Sequence, residues 1–134
     1  MRIIGLILLV AAALTVPAAL LGHHSVPVNF DQSREITVAG ILTEVKWLNP
    51  HSRFRLDVTQ DDGTTMEWLV EMGAINTMRR SGFAAELFVV GDSVSVTGPP
   101  GRRERVVLLS RAFVHDGGEL RCVGSSCESA GGAD

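Results

Sequence analysis

The stretch ITVAGILTEVKW, residues 36–47, decides the fold. Apolar and polar residues alternate along it, which is typical of a β-strand that buries one face. Gly40 lies near its middle and predicts a bulge or a sharp bend there. A bent first strand can take part in both sheets of a small barrel. We therefore expect residues 36–47 to form the strand around which such a barrel closes.

The chain after this strand repeats the β pattern four times, with one interruption. The interruption is the only candidate helix, residues 73–81, which Gly82 ends. The other predicted strands are residues 53–59, 65–72, 93–97 and 105–114. In the last of them, we expect Val106 and Leu108 to face the core. The order predicts an all-β fold, a five-stranded OB-fold-like barrel with a short helix between strands 3 and 4. An open β-sandwich of similar size is the alternative.

Residues 1–22 resemble a secretory signal peptide. Arg2 supplies a positive start, an uncharged apolar run follows, and Pro17 precedes small residues. The alternative is an uncleaved N-terminal membrane anchor, because the uncharged run is about long enough to cross a bilayer. The mature N-terminus is predicted to lie between Ala19 and His23. The sequence thus predicts a periplasmic or secreted bacterial protein, and a membrane partner only if the leader is retained.

The remaining length is sufficient for one compact domain. Residues 23–35 are polar and contain Pro27, so they predict an extended lead-in, followed by the barrel at residues 36–115. Residues 116–134 form a tail rich in Gly and Ser. Within this tail, Cys122 and Cys127 predict a disulfide in an oxidising compartment. A thiol metal site or a redox pair is the alternative for these cysteines.

The charge balance argues against nucleic acid as a partner. The chain has 12 Lys and Arg against 15 Asp and Glu, a net charge of −3 at pH 7, which becomes −4 once Arg2 leaves with the leader. Nucleic-acid binding generally needs a strongly basic surface. The arginines at positions 79, 80, 102, 103 and 105 fit solvated faces better than phosphate sites.

Two adjacent histidines follow the leader. Cleavage after Gly22 would place His23 at the free N-terminus, where an α-amine and two imidazoles can chelate a transition metal. His51 follows Asn49-Pro50 in the loop after the first strand. If the lead-in folds back, His23, His24 and His51 converge on a nitrogen-rich site that suits copper, Cu(II), above other divalent ions. The alternative is structural: Pro50 stiffens a turn, Asn49 caps backbone groups, and His51 is exposed.

Several of these motifs together resemble a family of small exported bacterial proteins of unknown function. The motifs are His23-His24-Ser25, Trp47-Leu48-Asn49-Pro50-His51 and the turn at Gly91-Asp92. The resemblance covers roughly residues 23–114 and implies an OB-like barrel and export, without an activity. Val89-Val90 departs from the family pattern, in which Lys-Pro or a similar pair precedes the Gly-Asp turn.

Two functional hypotheses follow. One is a small exported OB-like protein that binds copper through His23, His24 and His51, with no other cofactor. The other is a non-catalytic periplasmic module that binds a protein or a small molecule on its barrel. The sequence contains no nucleophile elbow, paired-carboxylate signature or dinucleotide fingerprint. These absences favour a binding protein over an enzyme and leave no candidate catalytic residue. The enzymatic alternative is oxidative chemistry at a copper site on the N-terminal histidine.

Overall fold

The computed structural model describes residues 25–115, 118–123 and 126–129. These residues form two short helices, one turn of 3₁₀-helix and eight β-strands. In chain order they are α1 (Ser25–Asn29), β1 (Ile36–Lys46), β2 (Arg53–Thr59), β3 (Thr65–Glu71), α2 (Ile75–Arg80), the 3₁₀ turn (Ala85–Leu87), β4 (Ser93–Gly98), β5 (Val106–Leu108), β6 (Ala112–His115), β7 (Gly118–Val123) and β8 (Ser126–Ser129). None of the helices in these ranges has the length and apolar character needed to span a membrane.

Strand β1 organises the barrel as its sequence predicted. Its first half, Ile36 to Ile41, pairs antiparallel with β4, and its second half, Ile41 to Lys46, pairs antiparallel with β2. Strand β3 continues the meander next to β2. The order across the sheet is β5-β3-β2-β1-β4-β6-β7-β8. This arrangement, with α2 between β3 and β4, is an OB-like β fold and confirms the predicted class.

The barrel closes through a broken strand. The single strand predicted at residues 105–114 is divided, because β5 pairs parallel with β3 whereas β6 pairs antiparallel with β4. Between them the chain crosses over: the Leu109 N–H donates to the Glu71 carbonyl at the end of β3, and the Arg111 N–H donates to the Thr97 carbonyl on β4. Three intervening residues thus carry the chain from one side of the sheet to the other.

The prediction that Val106 and Leu108 face the core was wrong. Val107 and Leu109 are buried, whereas Val106 and Leu108 are only partly buried. The register pairs Val107 with Val70, which is itself fully buried. Because the side-chain period of a strand is two residues, pairing these two valines turns Val106 and Leu108 to the outer face.

Gly40 allows a close approach of two strands. A Cβ atom on Gly40 would lie 2.5 Å from the carbonyl oxygen of Asp57 on β2. The irregularity expected at Gly40 lies further along, because the β1–β2 register shifts between Leu42 and Glu44. Glycine is therefore needed at position 40 because the backbones of β1 and β2 lie too close for a Cβ atom. The bulge itself lies between Leu42 and Glu44.

The core is predominantly aliphatic and contains a cluster of phenylalanines. Phe54, Leu56, Val70, Val94 and Val96, which alternate with polar or more exposed residues along their strands, are buried. Val45, Val58 and Trp68 are partly buried and pack against this core. The ring centroids of Phe88 and Phe113 lie 4.8 Å apart, and those of Phe54 and Phe88 lie 5.3 Å apart. Aromatic pairs at such separations add to the stability gained by burial alone.

Both ends of the described chain are more regular than expected. The lead-in was expected to be extended, but Ser25–Asn29 forms a turn of helix and Phe30 is buried against the barrel, bridging to Gly101. At the other end, β7 and β8 add a hairpin beyond β6. The register of this hairpin places Cys122 directly opposite Cys127.

Candidate functional site

The Asn-Pro-His loop between β1 and β2 is held by its own neighbours. The Asn49 Oδ1 atom accepts a hydrogen bond of 3.0 Å from the Ile75 backbone N–H, at the start of α2. Ser52 is fully buried, and its hydroxyl donates to the Leu48 carbonyl at 3.0 Å and accepts from the Leu48 N–H at 3.2 Å. These contacts support the structural role that the sequence suggested for Asn49.

The three predicted metal ligands lie in two different parts of the chain. His51 is exposed in the β1–β2 loop, whereas His23 and His24 lie outside the described residues. Within those residues, no three His, Cys, Asp or Glu side chains lie close enough together to hold a metal ion. The described lead-in runs along the β4–β5 loop, where the Asp31 N–H donates to the Pro100 carbonyl at 2.9 Å. The convergence of the three imidazoles therefore stays a prediction.

A ladder of charged side chains crosses the outer face of β1, β2 and β3. The Arg55 Nε atom donates to Glu44 Oε2 at 2.9 Å, and its Nη1 atom donates to Glu67. Lys46 Nζ lies 2.8 Å from the other Glu44 oxygen. Hydrogen bonds from Lys46 and Arg55 hold the pKa of Glu44 below its usual range. The bond to Glu44, followed by the attraction of Glu67, raises the pKa of Arg55.

This ladder of charged side chains lies on a face that some OB-folds use to bind nucleic acid. In OB-folds, the face of strands 2 and 3 is a common site for oligonucleotides. Here the charge of Arg55 is compensated by two glutamates, and Arg53 lies opposite Glu71 in the strand register. The two tryptophans pack against the core instead of standing on this face. The face thus offers neither a row of uncompensated cations nor an aromatic platform, the two features that single-strand binding uses.

A cleft of about 250 Å³ lies between α1, the edge formed by β3 and β5, and the β4–β5 loop. Its apolar floor is formed by Leu69 and Val106, which are register partners on the outer face, and Val28 of α1 also lines it. Val28 is 68% exposed, a high value for a valine on a structured segment. The full lining is Val28, Asn29, Phe30, Leu69, Glu71, Gly101, Arg102, Arg103 and Val106.

Arg102 joins two elements that line this cleft, α1 and the β4–β5 loop. Its backbone N–H donates to the Asn29 carbonyl at 2.8 Å, and its guanidinium Nε and Nη2 atoms donate to the Pro27 carbonyl at 3.4 and 3.3 Å. These bonds satisfy carbonyl groups in the second half of α1, which a helix of five residues leaves largely unpaired. Arg102 therefore holds the helix against the loop.

Two oppositely charged side chains, those of Arg103 and Glu71, also line the cleft. Arg103 is exposed, and Glu71 is partly buried at the end of β3. Arg53 lies opposite Glu71 in the β2–β3 register, but among the described residues neither Glu71 nor Arg103 takes part in an ion pair within 4.0 Å. The sequence patterns did not predict this site, because Leu69 shares its face of the strand with Glu67 and Glu71, and alternation marks that face as polar. The only local signal was an apolar residue between Glu67 and Glu71 on that face.

The strand order and the cleft define a small OB-like β-barrel with a lined surface site. The chain belongs to a family of unknown function, DUF6152, whose model matches residues 10–108. This confirms the expected membership of an uncharacterised family. No curated protein matches the chain. It is similar to the N-terminal domain of the PriB protein from Thermoanaerobacter tencongensis, solved as a dimer, with 17% identity and a TM-score of 0.42 over 57% of this chain and 89% of that one. A likeness of this degree carries no functional inference.

Proposed function

We propose that the protein is a non-catalytic, exported binding module that holds a small ligand in the α1–β3–β5 cleft. The observation that carries the proposal is the pairing of an outward-facing apolar floor, Leu69 and Val106, with charged groups in the same lining. Binding sites for small molecules typically combine an apolar surface with a few placed polar groups. The predicted signal peptide supports the exported location.

The chemistry of the lining favours binding over catalysis. Its polar side chains are those of Asn29, Glu71, Arg102 and Arg103. They supply charge and hydrogen bonds, but the lining contains no Ser, Cys, Thr or Lys next to a base, which is the arrangement that nucleophilic catalysis uses. Arg102 is already engaged with α1.

We also propose that nucleic acid is not the ligand. The outer face of β2 and β3 carries compensated charges, as described above, and the whole chain has a net charge of −3. A surface without an excess of positive charge releases few counterions on binding a phosphate backbone and so gains little affinity from it.

The cleft can be tested by an NMR screen of small apolar fragments, half of them anionic and half cationic, against the mature protein. We expect saturable shifts of the Val28, Leu69 and Val106 methyl signals. Leu69→Ser should abolish the shifts of the Val28 and Val106 signals. Ile41→Ser, a matched change at an exposed apolar residue on β1 outside the cleft lining, should leave them unchanged. Fragments that bind elsewhere, or equally to both variants, would contradict the proposal.

Copper binding by His23, His24 and His51 is a second candidate function, favoured by one observation. The β1–β2 loop is held by Asn49 and Ser52, while His51 itself is exposed. Its imidazole is therefore accessible to a ligand without any disturbance of the loop. The chelating potential of the His23-His24 pair follows from the predicted cleavage after Gly22.

A further inference from the structure

The charges at the cleft point to the class of its ligand, if the cleft is the binding site proposed above. Arg103 supplies a cation and Glu71 an anion, and the floor between the walls of the cleft is apolar. A ligand that uses all three features must carry a carboxylate or similar anion, an ammonium group and an apolar chain. We infer that the cleft recognises a free apolar α-amino acid in its zwitterionic form.

The size of the cleft agrees with a single amino acid. Pockets for drug-sized molecules usually have volumes of about 300–1,000 Å³, whereas this surface cleft has a volume of about 250 Å³. A side chain of the size of leucine can cover Leu69 and Val106 while its α-carbon remains at the rim. A longer peptide would have to extend beyond the described lining.

The two charges have separate roles in this arrangement. The guanidinium of Arg103 pairs with the α-carboxylate, for which its planar set of donors is well suited. The Glu71 carboxylate accepts hydrogen bonds from the α-ammonium group, and Arg102 keeps α1 in place so that Val28 covers the apolar side chain. Both charges are needed because each neutralises one end of the ligand.

Three probes that differ by one group each test the inference on the wild-type protein. L-leucine has both charges, L-leucinamide lacks the carboxylate, and N-acetyl-L-leucine lacks the ammonium group. We expect L-leucine to shift the methyl signals of Val28, Leu69 and Val106 saturably. L-leucinamide and N-acetyl-L-leucine should each bind at least about tenfold more weakly, because each loses one hydrogen-bonded charge pair.

Two variants then assign the groups. Arg103→Gln should remove the preference for L-leucine over L-leucinamide and keep the preference over N-acetyl-L-leucine; Glu71→Gln should do the reverse. Ile41→Ser should change neither preference. Equal binding of the three probes to the wild type, or preferences that survive both variants, would overturn the inference.

The outcomes also separate this inference from the proposed function. If fragments bind the cleft but L-leucine does not, the amino-acid inference fails and the binding module stands. If neither fragments nor L-leucine bind there, both fail. The probe series on the wild-type protein decides the question even if Glu71→Gln does not fold.

Discussion

Asn49 caps a helix from 26 residues away. Its side-chain oxygen accepts the N–H of Ile75, the first residue of α2, whose own N-cap residue, Ala74, makes no side-chain cap bond. The Asn-Pro-His motif therefore joins the β1–β2 loop to the N-terminus of α2. This contact explains an asparagine at this position without invoking a ligand.

Replacing Asn49 with Ala should destabilise the protein by about 1 kcal/mol, the usual value of a helix cap. Asn49→Asp is the matched control, because its carboxylate can still accept the Ile75 N–H. Urea unfolding of both variants measures the difference. An Asn49→Ala protein as stable as the wild type would show that the bond contributes nothing to the fold.

Replacing Gly40 with Ala should be more damaging than its small volume suggests. The new Cβ would approach the Asp57 carbonyl oxygen to 2.5 Å, so β1 and β2 would have to separate, at a cost of about 1–3 kcal/mol. Gly73→Ala is the control, because its Cβ would have only ordinary contacts, 3.4 Å or more from its neighbours. Thermal unfolding should show a clear loss of stability for Gly40→Ala and not for Gly73→Ala. Equal losses of stability in the two variants would contradict this account.

The charge ladder predicts a small dependence of stability on acid pH. The folded-state pKa of Glu44 is lowered, first by its hydrogen bond with Lys46 and then by that with Arg55. Ionised Glu44 therefore contributes its whole stabilisation of the fold above about pH 5, where the carboxylate of the unfolded chain is also ionised. This stabilisation is lost as the pH falls through the lowered pKa of the folded state. Glu44→Gln should flatten the stability curve in that range, measured by urea unfolding at several pH values. An unchanged slope would exclude the ladder as its cause.

Copper titration of the mature protein separates the metal hypotheses. We expect about one Cu(II) to bind, more tightly than Zn(II). Affinity should fall below about pH 6, because imidazole binds metal only when deprotonated. If the three histidines converge, His51→Ala should weaken binding substantially. If His23 and His24 chelate alone, an added residue ahead of His23 should matter more. Binding no tighter than that of a free His-His-Ser peptide would reject the metal function.

The intact mass of the exported protein tests two further predictions. The mature N-terminus should lie between Ala19 and His23, and the mass should be two hydrogens lower than that of the reduced chain. The second expectation follows from the predicted bond between Cys122 and Cys127, which face each other in the β7–β8 register. Recovery of the full-length chain only from membranes, with Met1 retained, would favour the anchor. Reduction of the sample provides the control for the disulfide.

The sequence by itself determined the elements with a clear local signal. The alternation in residues 36–47 and 53–59 predicted β1 and β2, and Gly82 correctly ended the helical stretch. The core positions Phe54, Leu56 and Val96 followed from the same two-residue period. These features depend on contacts within one element or between neighbours in a hairpin, so a local pattern is enough to predict them.

Tertiary structure alone decided the closure of the barrel and the cleft. The face of β5 depends on Val107 pairing with Val70, and the break after Leu108 depends on where β3 and β4 end. The cleft needs α1 to be held by Arg102, whose bond to the Pro27 carbonyl spans 75 residues. The periodicity of apolar residues predicts which residues are buried, but it does not predict which distant strand packs over them. That choice is made by packing, so Val28, Leu69 and Val106 became a single surface only in the folded chain.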